Sequence, residues 1–158
     1  MKARVYLETT VVSYLAARSS RDIVLLAHQQ ITREWWENQR SRYELFVSQA
    51  VIDEAGGGNA EAAQRRLQLL GPIQLLDLTE QVQGFARELI GRGAVPRNAV
   101  LDAVHIAVAT VHGMEYLLTW NCRHIANAAG RSKMMAASRA MRWELPIICT
   151  PEELLEGD

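Results

Sequence analysis

Glu8 closes the first apolar run of the chain, Val5-Tyr6-Leu7-Glu8-Thr9-Thr10-Val11-Val12, and a carboxylate directly after a buried strand needs a partner. Two further acids are spaced to meet it: Glu54 in Val51-Ile52-Asp53-Glu54, and Asp102 ahead of Ala103-Val104-His105-Ile106-Ala107-Val108-Ala109. Asn121 adds an amide in Leu117-Leu118-Thr119-Trp120-Asn121, and Thr9, Thr10 and Thr119 add hydroxyls. Converging carboxylates repel one another unless a cation lies between them or one takes up a proton. An oxygen-only ligand set, without cysteine or paired histidine, suits Mg²⁺ or Mn²⁺ rather than Zn²⁺. A divalent ion held this way, with open positions, orients a water and stabilises the charge of an in-line phosphoryl displacement. The residue types therefore point to metal-dependent phosphodiester chemistry.

Each acid also has a purely structural reading. Asp102 opens a helix, where a carboxylate favours the helix dipole whatever its function. Glu54 lies near a helix terminus and reads equally as a solvated side chain. Glu8 is harder to dismiss, and its company shifts the balance for the other two. Asp53 competes with Glu54, but neighbours on a helix point about 100° apart, so only one of them faces the site. His105 stands one helical turn after Asp102, and a packed or capping histidine is its plainer reading. His124, beside Arg123 just past the fourth strand, either contacts a phosphate or caps the helix that follows.

These side chains converge only if the elements bring them to one edge. Short β-type runs alternate with helical ones: strands at 4–7, 45–47, 73–78, 116–119 and 147–149, with helices near 10–17, 23–38, 49–55, 59–70, 79–92, 98–113 and 125–141. Ser19-x-x-Asp22, Ser48, Asn59, Thr79 and Asn98 are the expected helix starts, and Gly71 reads as a C′ residue. Thr150-Pro151-Glu152-Glu153 carries the N-cap, N1 proline and capping-box glutamate of a final turn. Gly56-Gly57-Gly58 is a connector rather than a phosphate loop, because no strand precedes it and no Lys-Ser/Thr follows. Trp35 and Trp36 read as packing residues. The alternation predicts a three-layer α/β/α domain over 1–158, with a mostly parallel sheet of four to five strands. In a doubly wound sheet, strand ends and helix starts converge beyond the carboxyl ends of the strands.

Composition is that of a folded globular chain: 49% apolar, 22% charged and a formal charge of −1 over 158 residues. So small a net charge gives no global basic field. Arg123, Arg131, Lys133, Arg139 and Arg142 cluster late in the chain, and a solvated helix face is the favoured reading. Cys122 and Cys149 have neither metal-ligand spacing nor a disulfide framework. No signal-peptide pattern opens the chain and no apolar run approaches membrane-spanning length, so a cytoplasmic protein without membrane partners is expected.

The acids and their surroundings resemble the PIN-domain family, in particular the VapC-type toxins, over essentially the whole chain. The matching residues are Glu8-Thr9-Thr10 at the end of strand one, Glu54 on the helix after strand two, Asp102-Ala103 through Ala109, and Leu118-Thr119-Trp120-Asn121. The last two motifs fit as a unit in order and spacing. The resemblance implies a PIN-like fold, Mg²⁺- or Mn²⁺-dependent ribonuclease activity on RNA, a cognate antitoxin and a homodimer. It makes Glu8, Glu54 and Asp102 the metal ligands, with Asn121 assisting; RNA contact by Arg123 and His124 stays one of the two readings given above. Two departures stand out. Glu8 replaces the usual aspartate, lengthening the side chain by one C–C bond of about 1.5 Å. Asn121 replaces a frequent fourth acid. A rival expectation follows from them: a catalytically silent PIN-like module that binds RNA or protein. An aspartyl-nucleophile phosphatase would want an Asp-x-Asp pair after strand one, which Glu8-Thr9-Thr10 does not supply.

Overall fold

A computed structural model describes residues 1–156, so the last two residues of the expected domain, Gly157 and Asp158, lie outside the described residues. Five strands form one all-parallel sheet flanked by helices. They are β1 (Ala3–Leu7), β2 (Tyr43–Ser48), β3 (Gln74–Leu76), β4 (Tyr116–Leu118) and β5 (Ile147–Cys149). The spatial order is β3-β2-β1-β4-β5. The chain winds outward from β1 to one side and then crosses to the other, so the order reverses between β1 and β4. In open α/β sheets that reversal opens the crevice where ligands bind. Leu7 pairs with Leu118 across it, and the Glu8 N–H extends the ladder to the Leu118 carbonyl at 3.0 Å.

Helices α1 (Thr9–Ala16), α2 (Ile23–Asn38), α3 (Gln49–Ala55), α4 (Ala60–Leu70), α5 (Glu80–Gly91), α6 (Val100–Val111) and α7 (Ala128–Ala140) connect the strands. Two expected starts are built as sequence suggested: Asn59 and Thr79 each accept a first-turn N–H through the side chain. In the Ser19-x-x-Asp22 start it is Asp22, not Ser19, that stands at the N-cap and accepts the Leu25 N–H. The Thr150 and Glu153 groups bond reciprocally, as a capping box requires. Trp35 is fully buried, and Trp36 packs partly buried against the core with the Arg40 guanidinium over its ring.

Five local expectations are corrected. Ser48 stands at the N-cap of α3 but its hydroxyl does not cap, because it bonds the Tyr6 phenol instead. Asn98 does not cap α6: it lies in a turn closed by the Ala99 N–H on the Pro96 carbonyl, and Ala99 takes the cap position. Gly71 has φ −51°, so α4 ends without a left-handed residue. The segment before α7 is a turn, in which the Asn121 carbonyl accepts from both Ile125 and Ala126, and the helix begins three residues later under an Asn127 cap. The third strand is also shorter than 73–78, covering Gln74–Leu76.

The core lies between the sheet and its helices. Val5, Tyr6 and Leu7 are buried on both faces of the central strand, as parallel sheets require. On α6, Ala103 and Ala107 are fully buried and small, which lets the helix lie close to the strands and to α5. The late basic residues Arg131, Lys133 and Arg139 lie on the exposed face of α7, as the solvated reading expects.

Candidate metal centre

Glu8 is the N-cap of α1 and only 3% exposed. Its carboxylate accepts from the Thr10 N–H at 3.2 Å, the Thr10 hydroxyl at 2.5 Å and the Thr119 hydroxyl at 2.6 Å. The two threonines come from opposite sides of the crevice, one on α1 and one after β4, so the carboxylate straddles the switch point. Each is fixed in turn: Thr10 Oγ1 accepts the Trp120 N–H at 2.8 Å, and Thr119 Oγ1 accepts the Asn121 N–H at 2.9 Å. Trp120 pins this loop further by donating Nε1–H to Thr32 at 2.7 Å and stacking on His28 with ring centroids 4.1 Å apart.

Glu54 reaches the same edge from α3. Its Oε1 accepts the Thr9 hydroxyl at 2.8 Å and bonds His105 Nε2 at 2.5 Å. Asp53, one residue earlier, turns outward and takes a bond from Gln49, so Glu54 is the acid that faces inward. His105 is completely buried, and its other nitrogen, Nδ1, lies 2.7 Å from the Tyr6 hydroxyl, which is itself 2.8 Å from Ser48 Oγ. A polar chain thus runs from the site into the core, from Glu54 through His105 and Tyr6 to Ser48. Burial raises the Tyr6 phenol far above its ordinary value, so it stays protonated. Burial also pushes the Glu54 carboxyl up, but bonds from His105 and Thr9 and the histidine's charge outweigh it, leaving the carboxyl below its ordinary value.

Asp102 stands apart from this pair. It opens α6 as expected, and its Oδ2 meets His124 Nδ1 at 2.9 Å. Asn121 does not aim a free oxygen at the acids, because Oδ1 accepts the His124 N–H at 3.0 Å and shapes the turn. His124 therefore pairs with an acid, and neither of its two expected roles describes that contact. Arg123 is exposed beside it. His105, read from sequence as a packing residue, is packed and is also a member of the site. Its signal was the Asp102-x-x-His105 spacing, which puts both side chains on one helix face. Tyr6 and Ser48 carried no such signal.

One ligand atom each from Glu8, Glu54 and His105 lies within 4.8 Å of the other two, and among the described residues Asp102 joins no such group. Two carboxylates at that separation repel by about 3 kcal/mol at an effective dielectric of about 20. Yet no lysine or arginine forms an ion pair with Glu8, Glu54 or Asp102 among the described residues; His105 pairs with Glu54 and His124 with Asp102. Hydrogen bonds to an ionised group contribute about 1.5–3 kcal/mol each, so the hydroxyls on both acids offset part of the cost of burying and approaching two carboxylates. Two carboxylates and an imidazole nitrogen converging this closely are a donor set that fits a divalent cation.

The PIN domain family model matches residues 5–130. The chain belongs to the PIN domain family. PIN domains are generally nucleases, and PIN nucleases use divalent metals, to which the paired acids correspond. Among solved structures the fold is similar to a chain of the VapBC2 complex of Rickettsia felis bound to a DNA fragment from its promoter. That likeness has a TM-score of 0.52 at 15% identity, covering 93% of this chain and 98% of the other, and it shows the PIN fold. No curated protein matches by sequence. Among the described residues, no helix is long and apolar enough to cross a membrane.

Proposed function

We propose that this PIN domain, read as one unit over 1–158, is a divalent-metal-dependent endoribonuclease that hydrolyses RNA phosphodiester bonds, the toxin of a toxin–antitoxin pair. The observation that carries the reading is the Glu8–Glu54 pair at the switch point, two carboxylates with no lysine or arginine paired to them among the described residues. Glu8 and Glu54 would hold Mg²⁺ or Mn²⁺, and a bound ion would supply water activation and charge stabilisation at the phosphate. Thr9, Thr10 and Thr119 hold the carboxylates in place by the bonds described. Asp102, held by His124, would supply a third acid, and Asn121 shapes the turn that presents His124. Arg123, exposed in the turn after β4, and His124 beside it would contact the RNA phosphates.

The likeness to a VapBC complex supports an antitoxin partner, and the family resemblance supports a homodimer in the cytoplasm. Labelled RNA incubated with the pure protein and Mn²⁺ tests the activity. Cleavage that stops with EDTA and falls at least 100-fold in Asp102→Asn is expected. EDTA-insensitive cleavage, or full activity in that variant, overturns the reading. Metal binding without any cleavage would leave a silent module.

A further inference from the structure

We propose that His105 is itself a metal ligand, through Nε2, so that the centre of this PIN domain is a mixed nitrogen–oxygen site selecting Mn²⁺ over Mg²⁺. The inference rests on the metal-dependent reading above and adds a donor that carboxylates alone do not provide.

Its basis is the direction of the imidazole. His105 is fully buried in the middle of α6, yet its Nε2 points out of the core to the carboxylates, 2.5 Å from Glu54 Oε1. The Glu8, Glu54 and His105 ligand atoms all lie within 4.8 Å of one another. Two metal–ligand bonds of about 2.1 Å span about 4.2 Å, so the three atoms need move little to share one ion. The other ring nitrogen is fixed as metal-bound histidines require. Ligating imidazoles almost always donate their second N–H to a fixed acceptor, which sets the tautomer and the ring orientation. Here the Tyr6 hydroxyl, 2.7 Å from Nδ1, can accept that hydrogen and donate its own to Ser48 Oγ, 2.8 Å away. With Nδ1–H on Tyr6, Nε2 carries a lone pair toward Glu8 and Glu54. With the hydrogen on Nε2, the same ring donates to Glu54. One buried chain thus serves both the metal-loaded and the metal-free site.

The consequence is selectivity. Mg²⁺ favours oxygen donors and near-ideal octahedral geometry, whereas imidazole suits later divalent metals and the affinity order places Mn²⁺ at the start of that series. Adding one nitrogen to two carboxylates shifts preference from Mg²⁺ toward Mn²⁺.

Pulsed EPR of the metal-stripped protein reloaded with Mn²⁺ gives the test. A directly bound imidazole produces a ¹⁴N coupling, expected in the wild type and in His124→Gln and absent in His105→Gln. Mn²⁺ should also bind at least 10-fold tighter than Mg²⁺, measured by competition, and His105→Gln should bring the two toward parity. Should His105→Gln fail to fold, the wild-type and His124→Gln spectra decide alone. Bound Mn²⁺ without ¹⁴N coupling, or a coupling lost in His124→Gln instead, overturns the assignment, as does an absence of Mn²⁺ binding. RNA cleavage by the same samples separates the two claims: cleavage without ¹⁴N coupling defeats only the ligand assignment, and coupling without cleavage defeats only the nuclease reading.

Discussion

At the scale of single residues, the site is a set of carboxylates held by hydroxyls. Thr119 donates to Glu8 and accepts from Asn121, so it couples the first acid to the loop after β4. Thr119→Val leaves a buried carboxylate short of one donor and an N–H without its acceptor. A loss of about 1–3 kcal/mol in urea unfolding is expected, largely restored in Thr119→Ser; an unchanged midpoint would contradict this role. Glu54 gives a pH dependence of definite sign. Its folded-state pKa is lowered from 4.5, so the unfolded chain binds more protons in the acid range. The stability it contributes is complete above the ordinary value and is lost as pH falls through the lower folded value. In Glu54→Gln the acid limb of the stability curve should be shallower; identical limbs would contradict it. Glu8 and Glu54 were legible in the sequence because strand-end position and helix phase constrain where they point. His105 was visible as a residue within reach of the site, but packing was its plainer reading, because its orientation depends on a bond to Tyr6, 99 residues away in the chain.

At the scale of elements, α6 does the most to build the site. It places Asp102 and His105 on one face, three residues apart, while the small buried Ala103 and Ala107 on another face let it pack closely against its neighbouring helix α5. Ala107→Leu should push α6 off that packing, lower stability by about 1–3 kcal/mol and weaken metal binding in the same variant. Stability loss with metal affinity intact would show that α6 positions no ligand. Helix starts show where sequence reasoning works and where it fails. Asp22, Asn59 and Thr79 are exposed or partly exposed and free to cap. Ser48 is fully buried, and a tertiary partner takes its hydroxyl. Asn98 fails for a local reason, because Pro96 favours a turn that displaces the start of α6.

At the scale of the whole molecule, the sheet order sets the chemistry. The reversal between β1 and β4 joins Glu8 to Thr119, and the crossings on either side deliver Glu54 and Asp102 to the same end of the sheet. Alternating strands and helices made the parallel sheet legible, whereas the separation of Asp102 from the Glu8–Glu54 pair was not, since it depends on the contact with His124. Ligand binding to the native state alone raises stability as the ion concentration exceeds its dissociation constant, by about 2.7 kcal/mol at 100-fold excess. The melting temperature should therefore rise with added Mn²⁺ and return to its starting value with EDTA. Calorimetric titration of Mn²⁺ into the wild-type protein and into Glu54→Gln tests the central claim most directly. A single site in the wild type, weakened at least 10-fold in the variant, is the predicted result. No binding at millimolar Mn²⁺, or equal affinity in both proteins, would contradict the metal centre.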